Sequence, residues 1–72
     1  MRKRSISIKG HRTSISLEPE FWTRLEAIAA ARAISLPQLI SQVDRERLGK
    51  TPPPGLASAL RVFILENAQS LI

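Results

Sequence analysis

The sequence predicts a mainly α-helical fold with a short β-ribbon, shared between two copies of the chain, and a third helix at the C-terminal end. Three observations favour this fold class: an alternating strand that runs directly into a helix start, two helices joined by a two-residue connection, and an apolar helix after a proline-rich linker. A chain of 72 residues is near the size at which a lone core is marginal and dimerisation is a common remedy.

An alternating segment at residues 13–17 predicts the ribbon strand. One face of such a strand directs side chains onto the helices and the other directs side chains outwards. A strand this short is unstable without a partner, so we expect it to pair antiparallel with the same strand of a second molecule. The inward residues are Thr13, Ile15 and Leu17, and the outward residues are Arg12, Ser14 and Ser16.

Residues 4–8 also alternate, but their apolar residues Ile6 and Ile8 have even numbers whereas Ile15 and Leu17 have odd numbers. One unbroken strand would place these two pairs on opposite faces. The Lys9-Gly10 step is the natural place for a turn or a bulge with glycine at positive φ. Residues 1–10 are therefore either a basic arm or an extra strand in a hairpin, and the sequence leaves both open.

The first helix is predicted from Pro19 to about Arg32. Proline suits the first helical position, and Glu18 and Glu20 complement the positive end of the helix dipole. Residues at i, i+4, i+7 and i+8 form one apolar stripe, with Trp22 at its edge. The stripe consists of Phe21, Leu25, Ile28 and Ala29.

A capping box predicts the second helix, because Ser35 is followed three residues later by Gln38. Gly49 is predicted to end this helix. Only residues 33 and 34 separate it from the first helix, so the chain must turn sharply between them. Its predicted core face is Leu36, Leu39, Ile40 and Val43.

Residues 50–55 form a stiff proline-rich linker, and residues 56–71 contain no helix breaker. The run at residues 62–65 is compatible with a buried strand, although its flanks favour a helix. Val62 and Leu65 widen the apolar stripe of this third helix, so we expect burial on more than one side and hence a partner chain. The stripe itself is Leu60, Phe63, Ile64, Ala68 and Leu71.

The net charge of +5 lies entirely at the N-terminal end. The first twelve residues hold five basic residues and no acid, whereas the rest of the chain holds six of each. A one-sided basic patch beside the ribbon favours a polyanionic ligand, nucleic acid first, over the alternative of a solubilising basic tail. The five residues are Arg2, Lys3, Arg4, Lys9 and Arg12.

Enzyme chemistry is not expected. The chain has no cysteine, a single histidine (His11) and no glycine-rich phosphate loop, so no catalytic set, cofactor site or metal site can be assembled. There is no apolar run of about 18 residues and no signal-peptide core, which predicts a soluble cytoplasmic protein.

The order of strand, helix, two-residue connection and helix over residues 11–48 resembles the ribbon-helix-helix DNA-binding family, which includes the Met and Arc repressors. The segment TSISLEPEFWTRLEAIA is similar to the family's strand and first helix, and SLPQLI is similar to its second-helix start. HRTSISLEPEFW with a trailing LASALRVFILE is similar to short members that add a third helix.

The resemblance implies an intertwined homodimer whose two-stranded ribbon enters the major groove of double-stranded DNA, probing base edges with outward strand residues. It also implies a phosphate at the second helix's N-terminus. The family often has glycine at the position of Ala33, so alanine there implies strain or another turn. The implied base contacts are Arg12, Ser14 and Ser16, and the implied phosphate contacts are Arg2, Lys3, Arg4, Lys9 and Ser35. The expected dimer core is Ile15, Leu17, Phe21, Leu25, Ile28, Leu39, Ile40 and Val43.

The expected organisation is an arm or extra strand at residues 1–10, a ribbon-helix-helix core at 11–49, a linker at 50–55 and a helix at 56–72. On this reading the protein is a small transcriptional regulator, associated with the nucleoid when bound to DNA. The alternative is an antitoxin-like interaction module that binds a protein partner through residues 56–72, with DNA binding secondary or absent. A single-strand RNA binder is a weaker third candidate, since the aromatic platform of such modules is missing.

Overall fold

A computed structural model describes residues 1–68, in which two strands precede three helices. Residues 69–72, and with them the predicted stripe residue Leu71, lie outside the described part of the chain. No helix within residues 1–68 is long and apolar enough to cross a membrane. The elements are β1 (Arg2–Ile8), β2 (His11–Leu17), α1 (Pro19–Ala31), α2 (Leu36–Leu48) and α3 (Leu56–Ala68).

The ribbon is an antiparallel hairpin within one chain, with β2 paired to β1. Lys9 and Gly10 form the two-residue turn and both have positive φ, 51° and 81°. This primed turn matches the right-handed twist of the strands, so β1 folds straight back along β2. Of the two possibilities for residues 1–10, the structure therefore has the extra strand. The expectation that β2 takes its partner from a second molecule is wrong for this edge, because seven residues of β1 already fill it.

The hairpin register explains the even and odd positions of the apolar residues. Each pair, from Ile8 opposite His11 to Arg2 opposite Leu17, joins an even-numbered residue to an odd-numbered one. Ile6 and Ile8 consequently share one face with Ile15 and Leu17, and all four are buried against the helices.

The helix α1 spans the predicted residues, and three members of its predicted stripe are buried, but Trp22 takes the place of Phe21. Trp22 is only 2% exposed and belongs to the core, whereas Phe21 is half-buried at its edge, which corrects the sequence prediction for both. The indole Nε1 donates a hydrogen bond to the Arg2 carbonyl oxygen at 2.8 Å. This bond satisfies the one polar group of the ring and allows the larger aromatic side chain to be buried.

A left-handed turn at Ala33, with φ of 56°, joins α1 to α2. The Ile34 amide donates to the Ala29 carbonyl at 3.0 Å and the Ala33 amide donates to the Ala30 carbonyl at 3.1 Å. These two bonds are the Schellman pattern, whose left-handed position glycine usually occupies. Alanine there carries strain of about 1–2 kcal/mol, so the predicted strain is present.

The capping box at the start of α2 is confirmed. The Gln38 amide donates to the Ser35 Oγ at 3.2 Å, and the Ser35 amide donates to the Gln38 Oε1 at 2.9 Å. The helix ends at Leu48, as predicted, but Gly49 has an ordinary φ of −80° and does not make a left-handed cap.

The helix α3 packs on the core of its own chain through Leu60 and Ile64. Its other side is open, with Val62 47% and Leu65 65% exposed, so the expected burial on more than one side is not present in the single chain. Residues 62–65 are helical. The predicted dimer-core residues lie in this same single-chain core, where all except the half-buried Phe21 are buried.

Candidate nucleic-acid interface

The hairpin has one apolar face and one polar face, and we call the polar one the outer face. In the hairpin register its side chains stand opposite one another in three cross-strand pairs. Both strands contribute one basic residue and two serines, and neither contributes an acid. The pairs of the outer face are Lys3 with Ser16, Ser5 with Ser14, and Ser7 with Arg12.

All three predicted base contacts lie on the outer face. Arg12 and Ser14 are exposed and Ser16 is half-buried. Because they alternate along one strand, neighbouring members are about 7 Å apart along the strand axis. The structure thus presents them as one row that a flat ligand could contact together.

Sequence reasoning missed Ser5 and Ser7, which are exposed and lie beside Ser14 and Arg12. Their face depends on the pairing of β1, which was unresolved between an arm and a strand. One signal was available, because the tripeptide Ser-Ile-Ser occurs at residues 5–7 and again at 14–16. A repeated strand sequence indicates a repeated strand.

The predicted phosphate contacts at the N-terminus divide into two groups. Lys3 and Lys9 are exposed and, like Arg12, form no ion pair within residues 1–68. Arg4 instead lies on the packed face of the hairpin, where its Nη1 donates to the Glu26 Oε1 at 2.8 Å. Its guanidinium carbon is 4.9 Å from the centre of the Trp22 ring. Arg4 therefore has intramolecular partners that a phosphate would have to displace.

Arg2 lies at the far end of the hairpin from the turn, in register with Leu17, and its side chain is exposed. Its backbone carbonyl is the acceptor for the Trp22 indole. Arg2 therefore belongs to the packed face of the hairpin, at its end, and not to the outer face.

The predicted phosphate site at Ser35 is occupied by the capping box. The Ser35 hydroxyl and amide both bond to Gln38, and Pro37 has no amide to offer. A phosphate at this helix start would have to displace the Gln38 side chain, so the position is a poorer anion site than the resemblance implied.

Two carboxylates near the ribbon, those of Glu18 and Glu26, are paired with arginines. Glu18 directly follows β2, and Arg61 of α3 donates from both Nε and Nη2 to its Oε1, each at 3.1 Å. A backbone hydrogen bond and the Arg61 guanidinium lower the pKa of Glu18 from its ordinary 4.5, while partial desolvation opposes them. Glu26 is paired with Arg4 in the same way. Neither Glu18 nor Glu26 therefore places an unpaired negative charge near the basic outer face.

A second candidate surface lies on the helices. A groove of about 210 Å³ runs between the end of α2, the linker and α3. It is lined by apolar and charged side chains, among them the exposed Val62. Its lining includes Val43, Arg47, Lys50, Val62, Phe63 and Glu66.

Comparison with protein families gives one finding: the family model described as the ribbon-helix-helix domain matches residues 1–68. No curated protein and no solved structure matches the chain. The match covers the hairpin and all three helices as the structure describes them.

Proposed function

We propose that this chain, which belongs to the ribbon-helix-helix domain family, binds double-stranded DNA in a sequence-dependent way as a small transcriptional regulator. The family comprises DNA-binding regulators and antitoxins and is typically non-catalytic. The observation that carries the proposal is the outer face, a two-stranded surface with a basic residue on each strand, four serines and no acid. The proposed ligand implies a location with the DNA of the cell.

In the proposed complex the outer face enters the major groove. The groove is about 12 Å wide and admits a two-stranded ribbon. The guanidinium of Arg12 can donate two hydrogen bonds to guanine, and Ser14 and Ser16 can donate to or accept from several bases. Lys3, Lys9 and the exposed Arg2 would contact phosphates on the groove walls, which gives affinity and register without sequence information.

We further propose that the protein acts as a homodimer, since its family typically binds DNA as dimers. The apolar side chains predicted for a dimer core are already packed within one chain. The proposed dimer therefore uses surface that the single chain leaves exposed, and its two outer faces would contact one DNA molecule. Sedimentation at several protein concentrations measures the association state.

The proposal is tested by DNA binding across a salt series, for the wild type and for Arg12→Ala. Each lost phosphate contact makes the slope of log affinity against log salt shallower by about 1, and a lost base contact costs about 1–3 kcal/mol on the preferred sequence. The matched control is Arg24→Ala, because Arg24 is an exposed arginine on α1 and its removal changes the net charge equally. We expect weaker binding for Arg12→Ala and near-wild-type binding for Arg24→Ala. Absence of wild-type binding at low salt would reject the DNA function.

A second candidate function is favoured by the exposed apolar side chains of α3. Val62 and Leu65 would be covered in an antitoxin-like complex with a protein partner, with the adjoining groove as part of the interface. The variant Leu65→Glu tests the second function, and its association state is measured in parallel because the proposed dimer also uses exposed surface. It should abolish partner binding, and it should leave DNA affinity unchanged when the association state is that of the wild type.

A further inference from the structure

The two strands of the hairpin repeat one sequence pattern. Residues 3–8 read KRSISI and residues 12–17 read RTSISL, nine positions later. The central Ser-Ile-Ser is identical, each copy begins with a basic residue, and each ends with an aliphatic one. The outer face of each strand therefore reads basic, serine, serine in the direction of the chain.

The hairpin register turns this repeat into a local two-fold symmetry. Exchanging the two strands carries the Lys3–Ser16 pair onto the Arg12–Ser7 pair. The same exchange carries the Ser5–Ser14 pair onto itself. A pseudo-two-fold axis, perpendicular to the sheet, thus passes between Ser5 and Ser14. One chain has by itself the symmetry that a ribbon made from two identical strands would have.

Dimensions favour the hairpin alone as the element that enters DNA. If the open edge of β2 paired with the β2 of a second copy, the resulting four strands would span about 14 Å between the outer strand axes, before side chains are counted. This exceeds the width of the major groove, about 12 Å, whereas two strands about 4.8 Å apart fit. A second copy paired at this edge of β2 would therefore hinder entry of the hairpin into the major groove.

We propose that the hairpin of a single chain is a complete reading ribbon, in which Ser5 and Ser7 contact bases on equal terms with Ser14 and Ser16. The inference rests on the proposed DNA binding and specifies its site. The outer residues of one strand extend over about 13 Å, which corresponds to about four base pairs. Each chain therefore recognises a short DNA sequence with its own local two-fold symmetry. A dimer recognises two such DNA sequences.

The test is selection of binding sequences from a randomised duplex library, followed by affinity measurements on the selected sequence. The wild type should select an inverted repeat about four base pairs long for each bound chain, and thus two such repeats for a dimer. The double variants S5A/S7A and S14A/S16A should each lose about tenfold in preference for the selected sequence over a scrambled one. The control S58A removes an exposed serine of α3 and should behave as the wild type.

The outcomes separate the inference from the function on which it rests. Loss confined to S14A/S16A, or loss in neither double variant, would overturn the inference while wild-type binding still supports the DNA function. Failure of the wild type to bind any duplex would reject both. Circular dichroism checks that each variant is folded. S5T/S7T, which keeps the hydroxyls and suits a strand, should retain the wild-type preference.

Discussion

The outer face of the hairpin and the paired arginines of the helical part use charged side chains in opposite ways. On the outer face, Lys3 and Arg12 are exposed and form no ion pair within residues 1–68. In the helical part, Arg47 bonds to Asp44 and to the linker carbonyl of Pro54, and Arg61 bonds to Glu18. Arginine thus stabilises the fold in the helical part, whereas on the outer face it is available to bind a ligand. Substitutions at buried or ion-paired residues of the helical part should therefore change stability, and substitutions on the outer face should change binding.

The strongest test of this division is Leu25→Ala in α1. Leu25 is fully buried, and truncating a buried leucine to alanine costs about 2–5 kcal/mol. The loss is a large fraction of the stability of a domain this small, which is about 4–11 kcal/mol. We expect a large fall in the urea midpoint, with DNA affinity unchanged once the folded fraction is taken into account. A specific loss of affinity in the folded protein would contradict the division.

A smaller effect of the opposite sign is expected from Ala33→Gly. The left-handed φ of Ala33 strains alanine and suits glycine, so the variant should raise the free energy of unfolding by about 1 kcal/mol. The matched control is Ala27→Gly at an exposed position inside α1, where glycine should lower it by about 1 kcal/mol. Urea unfolding of both variants measures the difference. Equal destabilisation by the two glycines would mean that the turn is not strained.

The smallest effect concerns the ion pair of Glu18 and Arg61. Because the pKa of Glu18 is lowered in the folded state, the unfolded chain takes up the proton first as the pH falls. The contribution of Glu18 to stability is thus complete above its ordinary pKa of 4.5 and is lost as the pH falls through the lower folded value. Unfolding at pH 7 and in the acid range, for the wild type and for Glu18→Gln, should differ less at low pH than at pH 7. The pair is partly exposed, so the difference is small.

Local signals in the sequence were sufficient for the helices and insufficient for the ribbon. Pro19 and the Ser35–Gln38 capping box act within one turn of helix, and both helix starts are as predicted. The pairing of β1 depends on Lys9 adopting a positive φ, which a lysine rarely does and which no local pattern announces. The exchange of Trp22 for Phe21 in the core depends on a hydrogen bond to Arg2, which lies twenty residues away.

The residues of the candidate site could be predicted from the sequence only for β2, because only the faces of that strand were predicted. The alternation of β2 placed Arg12, Ser14 and Ser16 on one face, and the structure agrees. The position of Arg4 could not be derived in this way, since its face follows from the hairpin register. The hydrogen bonds of Ser35 to Gln38 were predicted by the capping box. They compete with a phosphate for the same amide and hydroxyl groups.

Because β1 and β2 belong to one polypeptide, the two strands of the ribbon are encoded separately. In a ribbon made by two identical chains, every substitution appears on both strands and the symmetry is maintained automatically. In this hairpin a substitution at Ser5 leaves Ser14 unchanged, so the two halves of the outer face are free to diverge. The equivalent positions of the two strands already differ in one case, since one holds Lys3 and the other holds Arg12. The same gene can thus evolve towards an asymmetric target one strand at a time, without a second gene and without a heterodimer.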